Sequence, residues 1–164
     1  MRRWRHVAGA LGIALLSGCG GPPPPPPPPP TVVNLTLQTK PDVNPTQSGV
    51  GAPLALRVYQ LTSAANFNSA EFFPLYNSDA ATLKTDIVQR DDFLLPPGQS
   101  KTETLSPKEA VKAVAVFAAY RDFQHATWRA AAEIPPNKTT DVAVVAGRDG
   151  ITMKVQTQPG KPAS

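Results

Sequence analysis

Apolar side chains recur at every second position over long stretches of this chain. In Thr31 to Lys40, Val33, Leu35 and Leu37 alternate with Asn34, Thr36 and Gln38, the period of a strand with one face buried and the other wet. Pro53 to Leu61 repeats the pattern, with Leu54, Leu56, Val58 and Gln60 opposed to Ala55, Arg57, Tyr59 and Leu61. Further strands are predicted over Ile87 to Leu95, Lys101 to Leu105, Val111 to Tyr120, Thr127 to Ile134, Thr140 to Ala146 and Ile151 to Thr157. Pro96 to Gly98, Pro135 to Asn137 and Gly147 to Gly150 punctuate them as turns. Such a series of short strands predicts a mostly β protein, an eight-stranded sandwich, in one domain from Thr31 to Gln158.

One region departs from that period. Between Asn66 and Leu83 the segment NFNSAEFFPLYNSDAATL is rich in alanine and aromatics, with Phe72, Leu75 and Tyr76 at helical spacing. It predicts one or two short helices, capped by Ser69 and limited in length by Pro74. The aromatic stripe of Phe67, Phe72, Phe73 and Tyr76 is expected in the core, pinning this insert onto one sheet.

The N-terminus has a different composition. Arg2, Arg3 and Arg5 precede an apolar run from Val7 to Leu16, the layout of an export signal. Ten helical residues reach roughly 15 Å, half of the bilayer's hydrocarbon core, so the run is too short to span it. It ends in Leu16-Ser17-Gly18-Cys19, which resembles the lipobox of bacterial lipoproteins. That resemblance implies cleavage of residues 1–18 and acylation of Cys19, and Gly20 in place of an aspartate favours sorting to the outer membrane. Cys19 is also the single cysteine, so no intramolecular disulfide is available and the domain rests on its core alone.

Nine prolines follow, Pro22 to Pro30. In polyproline II such a run is a semi-rigid spacer of roughly 28 Å. A stand-off from the lipid headgroups is the simpler reading of it, and a docking site for a proline-binding module is the other. Residues 159–164 read as a flexible tail.

Charge changes the picture mainly by exclusion. Removing Arg2, Arg3 and Arg5 from sixteen basic residues leaves thirteen against twelve acidic ones, so the mature chain is nearly neutral. No basic cluster interleaves with aromatics, which argues against nucleic acid as a partner. The chain beyond the signal has one histidine, His125, and no cysteine beside it to build a metal site. Nucleophile-elbow, phosphate-loop and dinucleotide motifs are absent from the sequence. Asp91-Asp92 cannot share a catalytic site if both lie on a strand, since neighbours point to opposite faces. Arg121-Asp122 and Trp128-Arg129 flank a return between strands, where structural pairing is expected. The inventory predicts neither an enzyme, a cofactor nor a small-molecule substrate.

The link between the first two strands is the informative segment. Hairpin loops take about two to five residues, whereas this one runs from Pro41 to Ala52. Asn44-Pro45 and Gly49-Val50-Gly51 are turn formers, and Val43 and Val50 bring apolar side chains into a segment expected to be exposed. A long structured loop on a rigid sandwich is a common place for recognition; a tolerated insertion is the alternative. If it is a hairpin connection, a two-residue turn in its place spares the fold.

Several segments in order resemble one family: LQTKPDVNP (37–45), LRVYQL (56–61), NFNSAEFFPLY (66–76), PPG (96–98), VFAAYRD (116–122) and TWR (127–129). They are similar to the TssJ (SciN) family, outer-membrane lipoproteins of the type VI secretion system. The nine-proline spacer is the departure from that pattern. The resemblance implies a transthyretin-like β-sandwich with a small helical insert and no catalysis. It implies a lipid anchor at Cys19 in the outer membrane. It also implies a partner, the periplasmic C-terminal region of the inner-membrane protein TssM, bound through the loop between the first two strands. On this chain that loop is Asp42, Val43, Asn44, Pro45, Thr46, Gln47, Ser48, Gly49, Val50 and Gly51, with Val43, Asn44, Pro45, Gln47 and Val50 as contact candidates. A periplasmic small-ligand-binding lipoprotein is the alternative function, and would need a concave aromatic-lined pocket.

Overall fold

A computed structural model describes residues 25–158; the expected signal peptide, Cys19 and the tail at 159–164 lie outside the described residues. The order of elements is β1 (Val32–Thr39), β2 (Leu54–Leu61), α1 (Ala65–Ser69), α2 (Phe72–Leu83), a 3-10 turn (Lys84–Asp86), β3 (Ile87–Leu95), β4 (Ser100–Leu105), β5 (Ala113–Ala118), β6 (Arg129–Glu133), β7 (Thr139–Gly147) and β8 (Gly150–Gln158). The eight strands form two four-stranded sheets, ordered β4-β1-β7-β8 and β3-β2-β5-β6. The β1–β7 pair is parallel and the other pairs are antiparallel. The fold is the expected sandwich, with a helical insert between β2 and β3.

Two apolar layers hold it. Between the sheets, Val33, Leu35 and Leu37 of β1 meet Leu54, Leu56 and Val58 of β2, with Val142 and Val144 of β7 and Val114 and Val116 of β5. This is the face that the alternation marks out. The second layer lies under the helices on the outer side of β2 and β5, where Tyr59, Leu61, Ala113, Ala115 and Phe117 bury Phe67, Phe72, Leu75 and Leu83. Strand β2 is therefore covered on both faces rather than one. The period of its side chains gives two sets of residues but does not say that the second set is roofed over. Fully burying a leucine such as Leu75 or Leu83 contributes roughly 1.5–3 kcal/mol.

The insert corrects three expectations. Ser69 does not cap a helix start: it is the last residue of α1, and its Oγ donates to the Asn66 carbonyl at 3.2 Å. Pro74 does not shorten α2, because it occupies the first turn, where a backbone N–H would have no intrahelical partner. The helix breaks instead at Ser78 (φ −149°, ψ 49°) and resumes to Leu83. Of the aromatic stripe only Phe67 and Phe72 are buried, while Phe73 and Tyr76 are 54% and 45% exposed.

A polar network fastens α2 to the sheet. Tyr59 donates to Asp79 at 2.9 Å, Arg90 lies 2.9 Å from the same carboxylate, and Arg57 donates to the carbonyls of Leu75 and Tyr76. Asp92 joins it, 3.3 Å from Arg57 and 2.8 Å from Arg90. Burial pushes the Asp79 carboxyl up, but the Tyr59 and Arg90 hydrogen bonds and the Arg90 charge outweigh it and hold the group below the ordinary carboxylate range. Asp92 is thus a structural partner on the edge strand β3, as is expected for a polar edge.

Candidate partner-binding loop

Strands β1 and β2 do not pair; they belong to opposite sheets. The loop joining them crosses the end of the sandwich, and this corrects the hairpin comparison. Its length reflects the roughly 10 Å between packed sheets, so a two-residue turn cannot replace it.

Two of its residues face inward. Val43 is fully buried among the intersheet core residues. Asn44, 4% exposed, adopts φ 47°, a left-handed conformation that asparagine tolerates better than most residues. Its side-chain N–H donates to the Pro53 carbonyl at 2.9 Å, and its Oδ1 accepts from the Arg121 N–H at 2.9 Å. One side chain thus ties the loop to the start of β2 and to the β5–β6 loop. The expectation of an exposed segment is corrected at Val43 and Asn44, whose side chains are turned to the interior.

The rest of the segment projects outward. The Thr46 N–H donates to the Val50 carbonyl at 2.8 Å and the Gly49 N–H to the Thr46 carbonyl at 2.9 Å, closing a small turn at the tip. Gly49 takes φ 81°, open to glycine without strain. At Gly51 a Cβ would meet the Pro41 carbonyl oxygen at 2.2 Å, so the two arms of the loop approach too closely for any side chain. Asp42, Gln47, Ser48 and Gly49 are exposed, Pro45, Thr46 and Gly51 partly so. Val50 is 64% exposed, an apolar side chain carried on a braced backbone.

Neighbouring segments complete this end of the sandwich. Asp42 faces Arg148 of the β7–β8 turn at 3.7 Å. Tyr120 is buried and donates to the Gly147 carbonyl at 2.9 Å; burial, with the charges of Asp149 and Asp42, raises its pKa, so the hydroxyl stays a donor. A cleft of about 380 Å³ runs beside the loop, lined by Lys40, Asp42, Thr127, Arg148 and Asp149 among others. In the sequence Arg148 reads only as part of a turn and Tyr120 only as a strand end. Neither role shows in local pattern, because the partners, Asp42 of the β1–β2 loop and Gly147 at the end of β7, are distant in sequence. His125 is exposed in the β5–β6 loop, with Nδ1 2.7 Å from Asp122.

The other end of the domain receives the spacer. The Asn137 N–H donates to Thr31 Oγ1 at 2.9 Å and the Val32 N–H to the Lys138 carbonyl at 3.0 Å. Strand β1 then carries the chain from there into the loop, so spacer and loop occupy opposite ends.

A transthyretin-like sandwich with a helical insert, whose prominent feature is a braced intersheet loop, defines the class of this protein. Residues 31–156 match the family model described as type VI secretion lipoprotein, VasD, EvfM, TssJ, VC_A0113, and the chain belongs to that family. It is similar to the type VI lipoprotein TssJ1 from Pseudomonas aeruginosa, with 34% identity and a TM-score of 0.76 over 80% of this chain and 100% of that one. Serratia marcescens Lip, described as a membrane-bound component of the type VI secretion system, matches at 26% identity and a TM-score of 0.70, over 76% of this chain and 97% of that one. A structure described as the TssM C-terminal domain from EAEC shares the fold at 22% identity and a TM-score of 0.63, over 76% of this chain and 98% of that chain. No curated protein sequence matches significantly.

Proposed function

We propose that this lipoprotein is anchored through acylated Cys19 in the outer membrane, facing the periplasm, and that its β1–β2 loop binds the periplasmic C-terminal region of TssM. It acts by binding and carries out no chemistry. The observation that carries the reading is the loop itself: Val43 and Asn44 lock its base while Val50 stands 64% exposed at its tip. A braced loop loses little entropy on association, so more of its contact energy appears as affinity. Geometry supports the arrangement. An eight-residue β1 at about 3.3 Å per residue carries the chain roughly 26 Å from the end of the domain where the proline tract enters to the end where the loop lies.

The test is calorimetric titration of the soluble domain with the TssM region. Val50→Asp places a charge in a patch that must be desolvated, at a cost of about 1–3 kcal/mol, a loss of roughly tenfold to a hundredfold in affinity. The melting temperature should not move, since Val50 contributes no core contact. Wild-type affinity in this variant would remove the loop tip from the interface.

A further inference from the structure

Strands β3 and β4 are the edges of the two sheets on one side of the sandwich. A cleft of about 500 Å³ opens between them, lined among others by Gln60, Gln89, Asp91, Phe93, Glu103 and Leu105. Ser106 borders both this cleft and the cavity beside Pro28 to Pro30, so the cleft lies toward the spacer end, away from the β1–β2 loop. Register turns its carboxylates inward. Asp91 is paired with Val58 and Phe93 with Leu56 on the β2–β3 ladder, and Glu103 is paired with Leu35 of β1, so both acids stand on the faces that elsewhere build the intersheet core.

Two groups in this cleft lack the partners their chemistry calls for. Asp91 is partly buried and accepts from the neutral Gln89 amide at 3.1 Å, but it has no ion-pair partner among the described residues. Arg57 and Arg90 stand on the other face of the same sheet, held by Asp79 and Asp92. Gln60 is 3% exposed, and its side chain makes no hydrogen bond to another described residue. A buried amide without partners is costly. Among the described side chains the Thr140 hydroxyl alone is both sealed from solvent and unpaired, so the part of Gln60 that solvent reaches is its amide, aimed into the cleft. Glu103 keeps Lys101 at 2.8 Å, a half-exposed pair that water screens.

We propose that this cleft binds a small aliphatic diamine, with one ammonium group on Asp91 and Gln60 and the other on Glu103. An ammonium has three donors and no acceptor, which suits a carboxylate without a cation and an amide oxygen without a donor. The two carboxylates come from opposite sheets, whose backbones pack about 10 Å apart, so a ligand charged at both ends spans from one wall to the other. Phe93 and Leu105 offer apolar surface to the methylenes between. A bare metal ion fits less well. The cleft, about 500 Å³, has the size of a small-molecule site, and no three His, Cys, Asp or Glu side chains among the described residues gather to hold an ion.

The test is calorimetric titration of the mature chain, residues 19–164 carrying Cys19→Ser, with putrescine as the probe. Binding should be saturable and one to one. Butanediol, which has the same carbon chain without the charges, should not bind, and butylamine should bind at least tenfold more weakly. Asp91→Asn and Glu103→Gln should each weaken putrescine at least tenfold while the melting temperature holds, and Val50→Asp should leave it unchanged. Gln60→Leu should weaken it as well; if that variant does not fold, Asp91→Asn still reads the cleft, because its side chain is only partly buried. Absence of saturable binding up to millimolar putrescine, or wild-type affinity in Asp91→Asn, overturns the assignment. Equal affinity for butylamine overturns the two-ended grip, and displacement of putrescine by calcium chloride at constant ionic strength overturns the diamine in favour of a metal ion. None of these results depends on TssM.

Discussion

Asn44 is where loop shape and domain stability meet, and its substitution separates the two. Asn44→Ala leaves the Pro53 carbonyl and the Arg121 N–H without partners in a site only 4% exposed. Pro53 and Arg121 are themselves exposed residues, so water takes over part of each lost hydrogen bond, worth about 0.5–1.5 kcal/mol apiece, and holding a left-handed backbone without asparagine costs roughly 1 more. Allowing for partial relaxation and entry of water, we expect a loss of about 2–4 kcal/mol for alanine. Asn44→Gly keeps the φ of 47° open and should recover about 1 kcal/mol of that. Urea unfolding of the soluble domain measures both, and a domain of this size should lose roughly 3–5 °C of melting temperature per kcal/mol. Affinity for the TssM region should fall in both variants although the Asn44 side chain is buried, because the loop then pays ordering entropy on binding. If alanine and glycine variants both stay within about 0.5 kcal/mol of wild type, the Asn44 side chain does not brace the loop.

Three further outcomes are expected. Thr140 is fully buried and its hydroxyl has no hydrogen-bond partner, so Thr140→Val should raise stability by about 1 kcal/mol in the same urea measurement; a loss would mean that the hydroxyl has a water or backbone partner. Asp79 has a depressed pKa in the fold, so its contribution is present above the ordinary carboxylate value of about 4 and is lost as pH falls below that value through the folded-state pKa. Asp79→Asn should therefore lower the melting temperature at neutral pH and flatten its decline in acid, as thermal scans from pH 6 downward would show. Cys19→Ser should abolish incorporation of labelled palmitate and release the protein from the membrane fraction; labelling that survives the change would place the lipid elsewhere.

Much of this architecture is local information. Alternation in Val33, Leu35 and Leu37 and in Leu54, Leu56 and Val58 marks the intersheet face because a strand's side chains alternate by geometry, and the turn residues at Pro96 to Gly98 fall between β3 and β4 while Gly147 and Gly150 end β7 and begin β8 around the turn. The β1–β2 loop also stands out in the sequence by its length. What local pattern cannot carry is which strands become neighbours. Pairing of β1 with β4 and β7, and of β2 with β3 and β5, sets the loop crossing between sheets rather than closing a hairpin. That crossing turns Val43 inward and leaves Val50 outside, though both are valines in one polar segment. Asn44 likewise reads as a turn former, but its two partners are Pro53 and Arg121, the second 77 residues away. Burial and hydrogen bonding across such distances are properties of the packed chain, so tertiary structure alone decided which loop residues build the brace and which remain free to bind.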